Sequence, residues 1–193
     1  MNLLTGAGVR AHHSVIDVGC GSLRIGRLLI PYLNIGNYIG VEPNKWLVYD
    51  GIRYETGKDL INMKRPNLIF ADSIAHAHLH DIDYAIAQSI FSHTSRTLFA
   101  QWLHELSAAL APTGCLLGTV ITSEQDSGEE GWVYPGCVTF SLQTIQSLAT
   151  DAGFTLHQLN HWHPRQTWFC FAKSECDTSF IKDGTVQWHP NHA

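Results

Sequence analysis

Val15-Ile16-Asp17-Val18-Gly19-Cys20-Gly21-Ser22 is the stretch that decides the fold. Four residues suited to a buried strand run into two glycines and then into a helix start, and glycines at such a turn let bare backbone approach a ligand closely. Glu42 stands twenty-one residues beyond Gly21, at the end of a second strand, Tyr38-Ile39-Gly40-Val41-Glu42. A carboxylate at that place can accept the hydroxyl hydrogens of an adenosine ribose. Together the two features indicate a nucleoside cofactor.

Two details choose among such cofactors. A dinucleotide fingerprint requires glycine three positions after Gly21, for close helix packing over a pyrophosphate; here that residue is Arg24. Asp17, two residues before the first glycine, suits the ammonium of an amino-acid moiety and would repel a pyrophosphate. Both favour S-adenosylmethionine (SAM) over NAD.

Outward from this point, short apolar runs alternate with segments of helical period, the pattern of βαβ units around a parallel sheet. A helix from about Ser22 should be kinked or ended early by Pro31, and Asn44 can cap the next one, through Trp46, Leu47 and Tyr49. Residues 67–70 and 84–89 read as a third and a fourth strand. From Ser95 as cap, Leu98, Phe99, Trp102, Leu103, Leu106 and Leu110 form one apolar stripe, ended by Pro112 and Gly114. A fifth strand covers 115–121, a polar connection 122–139, a helix 141–152, and two closing strands 155–160 and 166–172 form an antiparallel pair. The expected fold is therefore α/β, a Rossmann-like doubly wound, mostly parallel seven-stranded sheet whose last strand is antiparallel, with helices on both faces. Residues 1–193 are read as one domain, with a short N-terminal cap, a lid loop at 122–139 and a C-terminal tail at 174–193.

The quoted motifs, D-V-G-C-G-S-L-R and Y-I-G-V-E-P-N, resemble the first two motifs of the class I SAM-dependent methyltransferases. The resemblance extends over nearly the whole chain. Ala71-Asp72-Ser73 stands where that family contacts adenine, Gln88-Ser89-Ile90-Phe91-Ser92-His93 is similar to its fourth-strand motif, and Leu110-Ala111-Pro112-Thr113-Gly114 to its turn before the fifth strand. The resemblance implies that Gly19, Cys20 and Gly21 admit the methionine part and that Asp17 orients its amino end. It further implies that Glu42, followed by Pro43, holds the ribose, that Asp72 and Ser73 border the adenine, and that Gln88 and Ser89 border the methyl donor. Leu23 replaces the third glycine common in the family's loop. Only about a dozen residues precede the first strand, where the family has further helices, so a partner subunit or second copy completing the acceptor site is left open.

On the acceptor side, His93 follows the fourth strand at the carboxyl edge of the sheet, where an imidazole can act as a base near neutral pH; a capping role at the next helix start competes with this. Glu129, Glu130, Trp132 and Tyr134 lie in the 122–139 connection, which could fold over an acceptor and exclude water, and Tyr134 is taken with His93 as a catalytic candidate. Arg24 could meet the SAM carboxylate at a helix amino end.

Composition sets the outer bounds. Of 193 residues 45% are hydrophobic and the formal net charge is −5, the wrong sign for gripping a phosphate backbone. Five scattered cysteines form no C-x-x-C pair, arguing against a disulfide framework or zinc ribbon. His76, His78 and His80 could share a strand face and hold a metal, but no matching ligands stand nearby, and a polar surface loop is the preferred reading. There is no signal-peptide pattern and no spanning apolar run, so the expected address is cytoplasmic. The expected activity is methyl transfer to a small-molecule nucleophile, with a non-catalytic SAM-binding module and an NAD-dependent oxidoreductase as rivals.

Overall fold

In the computed structural model, which describes residues 1–182, seven strands form one sheet in the order β3-β2-β1-β4-β5-β7-β6. Strands β1 (Val15–Val18), β2 (Tyr38–Val41), β3 (Asn67–Ile69), β4 (Ile82–Ala87) and β5 (Leu110–Val120) are mutually parallel, and β7 (Thr167–Ala172) runs antiparallel to both β5 and β6 (Thr155–Leu159). The architecture is the expected Rossmann-like one. Residues 183–193, the end of the expected C-terminal tail, lie outside the described residues.

The two-residue period of each strand sorts its side chains onto the two faces. Ile16, Val18, Ile39, Val41, Ala85, Leu116, Phe169 and Phe171 join one core with α5 (Arg96–Ala109) and α6 (Leu142–Asp151). Val15, Tyr38, Ile86, Cys115, Leu117 and Cys170 join the other, covered by α1 (Asn2–Gly6), α2 (Gly26–Tyr32), α3 (Lys45–Gly51) and α7 (Ser179–Lys182). Strands buried on both faces explain the near-continuous apolar runs of the sequence.

Local chemistry sets the helix limits. Pro31 is the penultimate residue of α2, which ends at Tyr32 because proline offers no amide hydrogen to the preceding turn. Ser95 and Ser141 cap α5 and α6 through Leu98 N–H and Thr144 N–H. Asn44 precedes α3 but makes no such bond; its side chain turns to Glu42 instead. A π-helical turn (Ile52–Thr56) and α4 (Lys58–Lys64), neither with a buried residue, escaped the apolar pattern. Helix α5 passes directly into β5 at Leu110, earlier than the expected start at Cys115. Gly114 belongs to this join, since a Cβ there would meet the Asp83 carbonyl oxygen at 2.8 Å.

Candidate functional site

The carboxyl ends of β1, β2 and β3 are tied together by hydrogen bonds. Cys20 N–H donates to the Val41 carbonyl (3.1 Å), Glu42 N–H to the Ile69 carbonyl (3.0 Å), and Gly21 N–H to Glu42 Oε2 (3.2 Å). Gly19, Gly21 and Leu23 all take positive φ, +64°, +50° and +60°. The third left-handed residue stands where the resembling family has its third glycine, so Leu23 adopts that backbone despite its Cβ. Its side chain is fully buried, and that packing holds it there.

The two glycines face different surroundings. A Cβ on Gly19 would collide with Ile90 Cδ1, whereas a Cβ on Gly21 would meet nothing nearer than the Gly19 carbonyl oxygen at 3.8 Å. Ile90 therefore covers the first glycine, while the second presents bare peptide to open space beside the Glu42 carboxylate. Glu42 is 7% exposed. Its Oε2 accepts from Gly21, and its Oε1 accepts from Asn44 N–H (2.9 Å) and Asn44 Nδ2 (3.0 Å). Three of about four lone-pair directions are thus filled, one of them by the side-chain amide of an exposed residue. Pro43 is exposed between these residues, and Arg24 is exposed in the turn before α2.

Asp17 is not at this open surface. It shares the β1 face with Val15, is 2% exposed, and accepts a 2.7 Å hydrogen bond from the Tyr38 hydroxyl. Burial raises its carboxyl to about 7, partly offset by that bond. A buried carboxyl bonded to a tyrosine inside the sheet–helix layer does not present itself to an ammonium ion, which corrects the role expected of it. Cys20 is buried in the same layer, and burial pushes its thiol up.

Asp72 is exposed after β3. Ser73, expected beside it at the adenine, turns away: its hydroxyl contacts both Glu105 oxygens of α5 at 2.9 Å, and the same carboxylate accepts Ile74 N–H. Its role is to fasten the β3 exit to α5. The 71–81 segment is loop, with His80 Nδ1 against Asp81 Oδ2 at 2.9 Å. Among the described residues no group of three His, Cys, Asp or Glu could hold a metal.

After β4, Gln88 is exposed and Ser89 takes φ +59°. Ser89 N–H donates to Thr119 Oγ1 (2.7 Å), and its hydroxyl accepts from Gln166 Nε2 (3.1 Å), which also reaches Ser92 Oγ (3.4 Å). Gln166 Oε1 is buried with no hydrogen-bond partner among the described residues. Gln166 was not anticipated from the sequence; the antiparallel direction of β7 carries its start to the carboxyl end of β5, and only the topology reveals this. Phe91 packs at 4.2 Å on Phe99 and against Gly118, where a Cβ would meet its ring at 2.9 Å. That anchor fixes the short 3-10 turn Phe91–His93.

The 122–139 connection is pinned rather than a free lid. Asp126 accepts from Ser141 N–H and Thr144 Oγ1, Ser127 N–H donates to the Thr139 carbonyl, Val133 N–H to the His93 carbonyl, and Ser95 N–H to the Gly131 carbonyl. Thr94 and Trp132 form an antiparallel bridge. The structure thereby brings His93, Trp132 and Tyr134 together, with ring centroids 5.8 and 5.2 Å from the imidazole.

No family model matches the chain, and neither does any curated protein. Solved structures do match. The apo form of the S-adenosylmethionine-dependent methyltransferase SibL superposes with a TM-score of 0.64 at 15% identity, over 84% of this chain and 50% of SibL. Magnesium protoporphyrin IX methyltransferase (ChlM) from Synechocystis PCC 6803, with bound SAM, gives 0.65 at 12% identity, over 89% and 74%. A SAM-dependent methyltransferase from Methanosarcina mazei gives 0.61 at 13%, over 88% and 95%. The chain thus spans half the length of SibL and about three quarters of ChlM.

Proposed function

We propose that this chain, which has the class I SAM-dependent methyltransferase fold, binds SAM at the carboxyl ends of β1 and β2 and methylates a small-molecule nucleophile. The observation that carries the reading is the pairing of Gly21, bare and facing open space, with the Glu42 carboxylate hydrogen-bonded to it at 3.2 Å. The space a Cβ would fill accommodates the nucleoside, and Glu42 accepts a ribose hydroxyl through its remaining lone pair, then a second as the Asn44 amide swings away. Asp72 and Pro43 border the adenosine; Gln88 and Ser89 border the donor. SAM supplies a methyl carbon activated by a sulfonium leaving group.

What remains for the protein is alignment and proton removal. His93 accepts the proton: its Nδ1 lies 2.6 Å from the Gly136 carbonyl oxygen, which can only accept, so the hydrogen sits on Nδ1 and the lone pair on Nε2. The test is the melting temperature with SAM, S-adenosylhomocysteine, NAD and no ligand, for the wild type and Glu42→Ala. SAM and S-adenosylhomocysteine raise it in the wild type and barely do so in the variant; a rise with NAD alone overturns the reading.

A further inference from the structure

Three of the five cysteines, distant in the chain, meet on one side of the sheet. Cys115 on β5 and Cys170 on β7 are fully buried in the core shared with α1, α2, α3 and α7, and Cys176 is half-buried against the same core. The backbone brings in the third. Beyond β7, Lys173 N–H donates to the Gly114 carbonyl (3.1 Å) and Glu175 N–H to the Pro112 carbonyl (2.9 Å), so the chain leaving the sheet continues past the start of β5. A turn closed by Cys176 N–H on the Lys173 carbonyl (3.1 Å) then folds it back, and the Cys115 thiol is in hydrogen-bond contact with both Cys170 and Cys176.

Strand geometry decides which pair can join. Cys115 stands opposite Ala172 and Cys170 opposite Leu117, so Cys115 and Cys170 are diagonal neighbours, about 7–8 Å apart at Cα. A disulfide spans at most about 6.8 Å, and two strands paired along their length have no freedom to close that gap. Cys176, on a turn outside the ladder, has it.

Reactivity is divided between the two thiols in the order such a pair needs. A hydrogen bond from Cys115 stabilises the Cys176 thiolate and holds its ionisation below that of an ordinary cysteine, against burial and the neighbouring Asp177 carboxylate. The contacts with Cys170 and Cys176, together with burial, push the Cys115 thiol well up. The nucleophilic sulfur is therefore on the solvent side, with a protonated thiol behind it.

From this placement we propose that Cys176 is a site of oxidation by hydroperoxides and that Cys115 resolves it as a reversible Cys115–Cys176 disulfide. The Cys176 thiolate attacks one oxygen of hydrogen peroxide: an S–O bond forms, the O–O bond breaks, and the departing hydroxide takes a proton from solvent to become water. The Cys115 sulfur then attacks the sulfenic acid. An S–S bond forms, the S–O bond breaks, and the Cys115 proton leaves with the hydroxyl as a second water. Two thiols are oxidised and one peroxide is reduced. The product ties the 173–182 segment, whose Phe180 is buried in the same core, to the middle of β5, and neither step involves the proposed SAM site.

The test uses the full chain in a Cys137→Ser background, which removes the exposed cysteine. The reduced protein is treated with a few equivalents of hydrogen peroxide without denaturant, alkylated with iodoacetamide and mapped by mass spectrometry without reduction. Cys115 and Cys176 appear in one linked pair of peptides, lighter by two hydrogens than the separate thiols, and dithiothreitol restores both. Cys176→Ser abolishes the crosslink, Cys115→Ala leaves at Cys176 a sulfenic acid that dimedone captures, and Cys170→Ala leaves the crosslink in place. The map itself needs no substitution in the core, so it decides even where a core variant fails to fold. A Cys115–Cys170 link, a crosslink formed only in urea, or a Cys176 still fully alkylated after peroxide overturns the proposal.

Discussion

Gly21→Ala separates the two things a glycine can do. In the folded chain the new methyl meets nothing closer than 3.8 Å, so there is no steric clash with the protein; the penalty is that of alanine at φ +50°. A left-handed non-glycine residue costs about 1–2 kcal/mol. For a domain of this size that lowers the melting temperature by about 2–8 °C. The ligand effect is larger and of different origin. At about 100 times its Kd, SAM stabilises the wild type by about 2.7 kcal/mol, or about 5–11 °C. A methyl placed against the nucleoside that weakens binding about a hundredfold leaves only about 0.4 kcal/mol, close to 1 °C. Differential scanning fluorimetry with and without SAM reads both quantities. Gly36→Ala is the matched control: its φ is +81°, nothing lies within 4 Å of the added carbon, and it sits at the amino end of β2, so the backbone penalty recurs while the ligand shift stays whole. Equal SAM shifts in Gly21→Ala and wild type would refute the assignment of that open space to the cofactor.

Two further outcomes follow from the same loop. Because burial raises the Asp17 carboxyl to about 7, above its unfolded value near 3.9, the folded state binds more protons in between. The contribution of Asp17 to stability is therefore greatest at acid pH and is lost as pH rises toward 7, by at most about 1.4 kcal/mol per pH unit. Asp17→Asn keeps an acceptor for the Tyr38 hydroxyl and should flatten that decline in urea titrations at pH 5 and 7.5; an unchanged slope contradicts a neutral buried acid. Leu23→Gly relieves the φ of +60° but deletes a fully buried side chain. Large-to-small core changes cost about 2–5 kcal/mol against the 1–2 recovered, so chemical denaturation should show a net loss, and a gain would mean that backbone strain dominates there.

What the sequence revealed was local. The β1 and β2 runs, the two glycines of the turn and the serine cap at 95 announce themselves through spacing within a few residues. The Gly21–Glu42 pairing was accessible too, because adjacent parallel strands put their carboxyl ends side by side. The misreadings concern which way a side chain turns. Asp17 looked like a ligand contact because its place at a strand end was visible, but the Tyr38 hydroxyl opposite it was not. Ser73 went astray for the same reason: its partner Glu105 sits 32 residues away on a helix face. Gln166 and Ser89 are 77 residues apart, and no pattern in the chain joins them before the β7 direction is known. Helix α4 left no trace because none of its residues is fully buried; Leu60 and Ile61 only lean on the core.

The bond from Val133 to the His93 carbonyl, with the Gly136 carbonyl against the imidazole, makes the 122–139 strap and the proposed proton acceptor a single mechanical unit. A change of length or sequence that lets the strap admit a bulkier guest also re-aims that nitrogen. Under the proposed function, selectivity and turnover shift as a pair, and a redesign of one has to start by rebuilding the other.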